Sequence, residues 1–224
     1  MREVFDQQLA GLETAVQDAG RTILRGLRDA VNLLEDWDDE VAERIAEDNR
    51  GIKDRYRVVE SDVARLFALQ GPVAGDLRLL LAVLHIDIHL QRMSRNNLRI
   101  ARFAERVIAE LPDPVLMERF EEMGARAEHA VQTALEALER RDLALALSLG
   151  DLDNLIDRDN EWIMDHALAL GSDPKRREWG MHTIFIARSL ERMGDHAVAI
   201  AEQVAYIITG RFEEFTLDRD ALGA

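Results

Sequence analysis

Apolar residues recur every three or four positions along almost the whole chain, and no stretch alternates with the period of two that a half-buried strand requires. Ile45, Ile52, Tyr56, Val59, Val63 and Leu66 form one helical stripe, and Leu77, Leu81, Leu84, Ile88 and Leu98 form another beyond Pro72. Only four prolines occur, at 72, 112, 114 and 174, and they stand where these patterns are interrupted. The pattern predicts an all-α protein of six long helices over residues 3–36, 39–70, 73–110, 114–140, 142–170 and 175–210, followed by a short tail.

The pattern also repeats. HLQRMSRNNLRIA at 89–101 and SLERMGDHAVAIA at 189–201 share Leu, Arg, Met, Ile and Ala at matching places. A shift of 104 residues lays Gly20 on Gly124, Ala30 on Ala134, Leu34 on Leu138, Asp38 on Asp142 and Ile52 on Ile156. Pro72 then falls two residues from Pro174, which a shorter loop in the second half accounts for. The chain therefore reads as two tandem three-helix bundles, residues 1–111 and 112–224, joined at Leu111-Pro112-Asp113-Pro114. Long antiparallel helices packed up-down-up form each unit.

Composition narrows the chemistry. Cysteine is absent, so there is no disulfide, no thiolate nucleophile and no sulfur-ligated metal. Asp, Glu and six His remain as ligands, and a metal would be held mainly by oxygen. A formal charge of −15 opposes nucleic-acid binding, which needs a basic face to displace counterions. The apolar runs fall short of a membrane span, and the opening MREVFDQQ has no apolar signal region, so a cytoplasmic location is expected.

Carboxylates interrupt faces that should be packed. Glu191 and Asp195 lie one turn apart on one face, as do Asp153 and Asp157. The first pair shares its line with Met181, Ile184 and Val198, the second with Leu149, Ile156, Ile163, Ala167 and Leu170. Like charges at this spacing cost an isolated helix about 0.2–0.5 kcal/mol, whereas removing an ionised carboxylate from water costs several kcal/mol unless it is paired. Four acids on two helices call for a cation. Arg188 or Arg192 could serve, and so could a divalent or trivalent metal such as Mg, Mn, Ca or Fe.

The first unit provides an internal control. By register, Asn49, Lys53, Gln91 and Arg95 take the places of Asp153, Asp157, Glu191 and Asp195, so all four acids are lost together. Lys53 and Arg95 would put fixed positive charge where an ion would otherwise lie, which keeps the scaffold while abandoning metal.

ERMGDHAVAIAE, the upstream Asp153-x-x-Ile156-Asp157 and PVAGDLR at 72–78 together resemble the PhoU family of phosphate-uptake regulators, over nearly the whole chain. The resemblance implies two three-helix bundles and a divalent or trivalent metal (Fe, Zn, Mg or Mn) on Asp153, Asp157, Glu191 and Asp195. It also implies negative control of phosphate uptake and of the phosphate regulon. The expected partners are the ATPase subunit of the phosphate ABC transporter and a phosphate-sensing histidine kinase; contact with the membrane would come only through them, and a homodimer is left open. Gln91, Ser94 and Arg95 depart from the family's Glu, Gly and Asp, which leaves a second metal cluster in the first unit unsupported.

Other residues compete for attention. His85 and His89 are four apart, but their offset from Leu84 and Ile88 points to a solvated flank, and Glu178 with His182 poses the same question. His196 points about 100° away from Asp195 round the helix and is not expected among the ligands. Gly194 is explained equally by close helix approach and by access for an ion. Glu161, one turn beyond Asp157, is a marginal ligand, and Trp37, Trp162 and Trp179 are expected in packing roles. No Glu-x-x-His occurs, which weighs against a carboxylate-bridged oxidoreductase. Without a phosphate-cradling glycine loop or a His-Glu-x-x-His motif, no enzyme activity is expected; a metal-free helical scaffold is the other alternative.

Overall fold

A computed structural model describes residues 2–108, 113–170 and 173–215. Its helices are α1 (Arg2–Asn32), α2 (Asp39–Gln70), α3 (Ala74–Ile108), α4 (Pro114–Arg140), α5 (Leu143–Leu147), α6 (Leu149–Leu168) and α7 (Pro174–Thr209). Among the described residues there is no strand. The ends follow from local chemistry. Asp38, Asp113 and Asp173 each accept two backbone N–H groups at the start of α2, α4 and α7, and proline opens α4 and α7, where its missing N–H is harmless. Gly71 and Gly210 end α2 and α7 in the left-handed conformation.

α1, α2 and α3 pack together as one three-helix bundle, and α4, α6 and α7 as a second, with α5 resting on α4 and α7. The joint at residues 111–112 lies outside the described residues. Two antiparallel crossings hold the bundles against each other: α1 on α4, and α3 on α7, the most extensive contact in the molecule. At the first, a β-carbon on Gly20 would meet Leu135 and one on Gly124 would meet Val31. These are the same contact seen from the two sides, because the 104-residue shift carries Gly20 to Gly124 and Val31 to Leu135. Each bundle thus gives up a side chain so that the other's aliphatic group can come close.

At the second crossing His85 faces Gln203, His89 faces His196, and Phe103 stacks on His182 and Phe185. Trp179 Nε1 donates to the Val107 carbonyl at 3.0 Å. Met93 and Met193, matched residues of the two repeats, are both fully buried between these ends. A shift of 100 residues carries His85 to Phe185 and Phe103 to Gln203, so one end of the seam is imidazole and amide where its counterpart is aromatic.

Three sequence expectations need correction. α1 stops at Asn32 rather than 36, and residues 33–36 form turns that still bury Leu33 and Leu34. The helix expected over 142–170 is two: Asp142 caps α5, and Ser148 turns its hydroxyl back to Leu145 before α6 starts at Leu149. In α3 the residues Leu77, Leu81, Leu84, Ile88 and Leu98 are only half-buried; the core face is Leu80, Val83, Ile86, Leu90, Met93 and Ile100. α3 packs on α1, α2 and α7 at once, so its buried positions lie on more than one face and its periodicity does not single out one of them. The α2 stripe lies where its spacing put it, with Ile45, Ile52, Val59, Val63 and Leu66 buried and Tyr56 half-buried.

Candidate functional site

α6 and α7 run antiparallel, with Asp153 opposite Gly194 at one end and Ala167 opposite Gly180 at the other. Both glycines mark close approach. A β-carbon at Gly180 would lie 3.1 Å from the Ala167 carbonyl oxygen, and one at Gly194 would collide with Asp153 Oδ1 and stand 3.0 Å from Ile156 Cδ1. Gly194 therefore leaves the space that the Asp153 carboxylate fills.

The four acids lie along this seam. Asp153 is completely buried and Glu191 is 3 % exposed, while Asp157 and Asp195 are half-buried at its margin. Met181, aligned with this face by its spacing, is instead exposed, and Ile184 is half-buried. Burial pushes the Glu191 carboxyl up to about 7, with the neighbouring Asp195 and Asp157 adding to the rise and Arg188 and Arg192 opposing it. Arg188, one turn back on α7, donates to Glu191 Oε1. Glu191 Oε2 is buried with no hydrogen-bond partner. A charge in this position is only half compensated.

The seam's donors are all oxygen, one of them is an orphaned buried oxygen, and the absent β-carbon at Gly194 opens the seat, all of which suits a hard ion. Among the described residues, however, no three Asp, Glu, Cys or His side chains close on one point, so holding an ion would require these carboxylates to rearrange.

In the first bundle the equivalent positions are spent differently. Ser94, in the place of Gly194, donates to Asn49 Oδ1 at 3.0 Å, and Asn49 stands in the place of Asp153. A neutral hydrogen bond thus occupies the spot where the second bundle buries a carboxylate. Arg95 is exposed and donates to Gln91 on its own helix at 3.2 Å, and Lys53 is exposed as well.

The remaining candidates separate cleanly. Glu161 and Glu178 are exposed, while His182 is buried against Phe103, so Glu178 and His182 do not act together. His85 is exposed, but His89 is not the solvated flank its offset suggested: it is half-buried, and its Nδ1 lies 3.4 Å from Nδ1 of His196. Burial, then Arg92 and His85, lower His89 to about 4; burial, then His89, Arg92 and Arg192, do the same for His196. Both rings are neutral at ordinary pH.

Two buried acids escaped the sequence reading. Asp87 is fully buried and paired with Arg55 at 2.6 Å, and Asp159 is 2 % exposed and held by Arg119 and Arg126. Asp87 sits between the apolar Ile86 and Ile88, which was its only signal.

Residues 16–104 and 120–204 match the PhoU domain, one match in each bundle. The chain is 30 % identical over 207 residues to the phosphate-specific transport system accessory protein PhoU homolog of Pseudomonas aeruginosa, covering 92 % of this chain and 86 % of that one. It is 30 % identical over 227 residues to the homolog from Zymomonas mobilis, covering 99 % and 94 %. Among solved structures, PhoU from Pseudomonas aeruginosa superposes with a TM-score of 0.85 at 30 % identity, over 92 % of this chain and all 100 % of that one. The phosphate transport system regulatory protein PhoU from Streptococcus pneumoniae superposes with a TM-score of 0.84 at 26 % identity, over 93 % and 99 %. Two matched domains, relatives 30 % identical over most of their length and a shared fold make one conclusion: the chain belongs to the PhoU family.

Proposed function

We propose that this protein is a negative regulator of phosphate uptake and of the phosphate regulon, acting as a helical adaptor in the cytoplasm between the ATPase subunit of a phosphate ABC transporter and a phosphate-sensing histidine kinase. The observation that carries this reading is the near-complete overlap with proteins named as accessory to phosphate-specific transport, over 86 % and 94 % of their lengths. Two bundles joined along two crossings offer broad helical faces, which suits docking. No helix among the described residues is long and apolar enough to cross a membrane, so its place at the transporter would come from the partner.

In this reading Asp153, Asp157, Glu191 and Asp195 hold a divalent or trivalent ion. The ion would supply positive charge to a seam with too little of its own. A metal-free scaffold is the second reading, and the observation favouring it is Arg188 on Glu191, a resident cation that already meets half of the need. Metal analysis of freshly purified protein divides the two: about one bound ion per chain that is lost in Asp153→Asn supports the first, and a metal content that Asp153→Asn leaves unchanged supports the second.

The adaptor role is tested by affinity capture from phosphate-replete and phosphate-starved cells. Retention of the transporter ATPase and the sensor kinase in one state more than in the other supports it. Retention of neither in both states overturns it.

A further inference from the structure

His89 and His196 meet across the α3–α7 crossing with their Nδ1 atoms 3.4 Å apart. Two imidazole nitrogens bound to one tetrahedral ion at about 2.0–2.1 Å must stand about 3.4 Å from each other. The observed gap is the bite of such a pair. His85 lies one turn before His89 on α3, the four-residue spacing at which two helical histidines take a single ion. We propose that His89 and His196, with His85 as a third arm, form a site for a borderline transition-metal ion such as Zn, Co, Ni or Cu, at the crossing that joins the two bundles.

The chemistry differs from that of the acidic seam, and the two sites are independent. Imidazole selects borderline ions, whereas an all-carboxylate set suits harder ones. The rings are half-buried and neutral, and water completes the coordination from the solvent side. Packing alone does not require imidazole here: the 100-residue shift places Ser189 and Asn96 at the matching pair of positions, and both are buried there without a ring. Two charges oppose the ion, Arg92 on α3 and Arg192 on α7. Both are exposed, where water screens them and the side chains can turn away. His85 is at present turned to Gln203, its Nδ1 lying 3.3 Å from Oε1, which is why no three ligands converge as the molecule stands. His85 is exposed, so its ring has room to change rotamer and turn toward the pair.

Without an ion, the same contact is an Nδ1–H···Nδ1 hydrogen bond between two neutral rings, and the test separates the cases. Tag-free, metal-stripped protein is titrated with Co(II) and followed by visible d–d absorption. The expected result is about one equivalent with a tetrahedral band, unchanged in Glu191→Gln, abolished in His89→Asn and in His196→Asn, and weakened about tenfold in His85→Asn. No stoichiometric band, a band that persists in both His89→Asn and His196→Asn, or a band lost in Glu191→Gln would overturn the proposal. Should the histidine variants fail to fold, Cu(II) added at two equivalents to the unsubstituted chain decides: hyperfine coupling to two or three imidazole nitrogens supports the site, and no such coupling sinks it.

Discussion

Gly194 of α7 faces Asp153 of α6 so closely that a β-carbon would strike the carboxylate, whereas in the first bundle Ser94 fills the same place and donates a hydrogen bond to Asn49. One crossing geometry therefore serves two chemistries. A glycine leaves room for a buried charge, and a serine closes that room with a neutral bond.

Gly194→Ala should therefore destabilise the protein although alanine is the better helix former by about 1 kcal/mol. The new methyl meets Asp153 Oδ1, and Ile156 Cδ1 stands 3.0 Å away, so one side chain or the other must move in a seam where both are completely buried. Overpacking of this kind costs about 1–3 kcal/mol, which leaves a net loss of about 1 kcal/mol. Gly11→Ala and Gly51→Ala, at helical sites with nothing within 4 Å, should instead gain about 0.5–1 kcal/mol. Urea denaturation of the three variants checks the contrast, and a stabilised Gly194→Ala contradicts it.

Glu191 makes the metal-free protein sensitive to pH in a definite direction. Its folded carboxyl titrates at about 7 against an ordinary 4.5, chiefly through burial, so between these values the folded state holds a proton that the unfolded state has released. The contribution of Glu191 to stability is then greatest below about 4.5, falls as pH rises toward 7 and levels off above it. The loss is on the order of 3 kcal/mol. Glu191→Gln should match the parent at pH 4, exceed it at pH 8 and lose most of this slope. Chemical denaturation in the presence of a chelator measures it; equal slopes in the two proteins would refute the assignment.

Much of this was legible in the sequence, for reasons that can be named. Helices α2, α4 and α7 were placed within a residue or two because aspartate caps, opening prolines and terminal glycines are local signals. The four acids were singled out because both pairs interrupt faces otherwise filled by aliphatic residues. What stayed hidden depends on contacts between helices. His196 points away from Asp195 as the helical wheel requires, but only the antiparallel register of α3 and α7 brings it to His89. The arginine on Glu191 was one of two within reach in sequence, and side-chain direction chose Arg188.

Asp87 and Arg55 give the first bundle a buried ion pair of its own. Burial raises the Asp87 carboxyl while Arg55 pulls it back, and burial lowers Arg55. The Arg55 guanidinium also donates to the Ala15 carbonyl, tying α2 to α1 as well as to α3. Removing one partner strands the other, so Asp87→Ala should cost about 3–5 kcal/mol. Replacing the pair together, as Asp87→Leu with Arg55→Met, should recover most of that loss, because neither desolvated charge is left. A double variant no more stable than Asp87→Ala would show that the pair acts through something other than mutual compensation.

Gly124 and Val31 offer the sharpest test of how the bundles are joined. A β-carbon at Gly124 would lie 2.8 and 2.9 Å from the two Val31 methyls, and its counterpart at Gly20 would lie 2.5 Å from Leu135 Cδ2. The Gly20 contact is the closer, yet the Gly124 substitution should be the costlier. Valine is β-branched and stiff at χ1, so its methyls cannot leave without moving α1, whereas the leucine methyls sit at the end of a side chain that can change rotamer. Gly124→Ala should therefore lose about 1–3 kcal/mol and Gly20→Ala less. Val31→Ala alone removes two methyls and costs about 1–2 kcal/mol, but in the Gly124→Ala background it also removes the obstruction. The double variant should be more stable than the sum of the two losses by about 1–2 kcal/mol. Additivity within about 0.5 kcal/mol would mean that the two side chains do not meet in solution, and that the α1–α4 crossing is held elsewhere along the two helices.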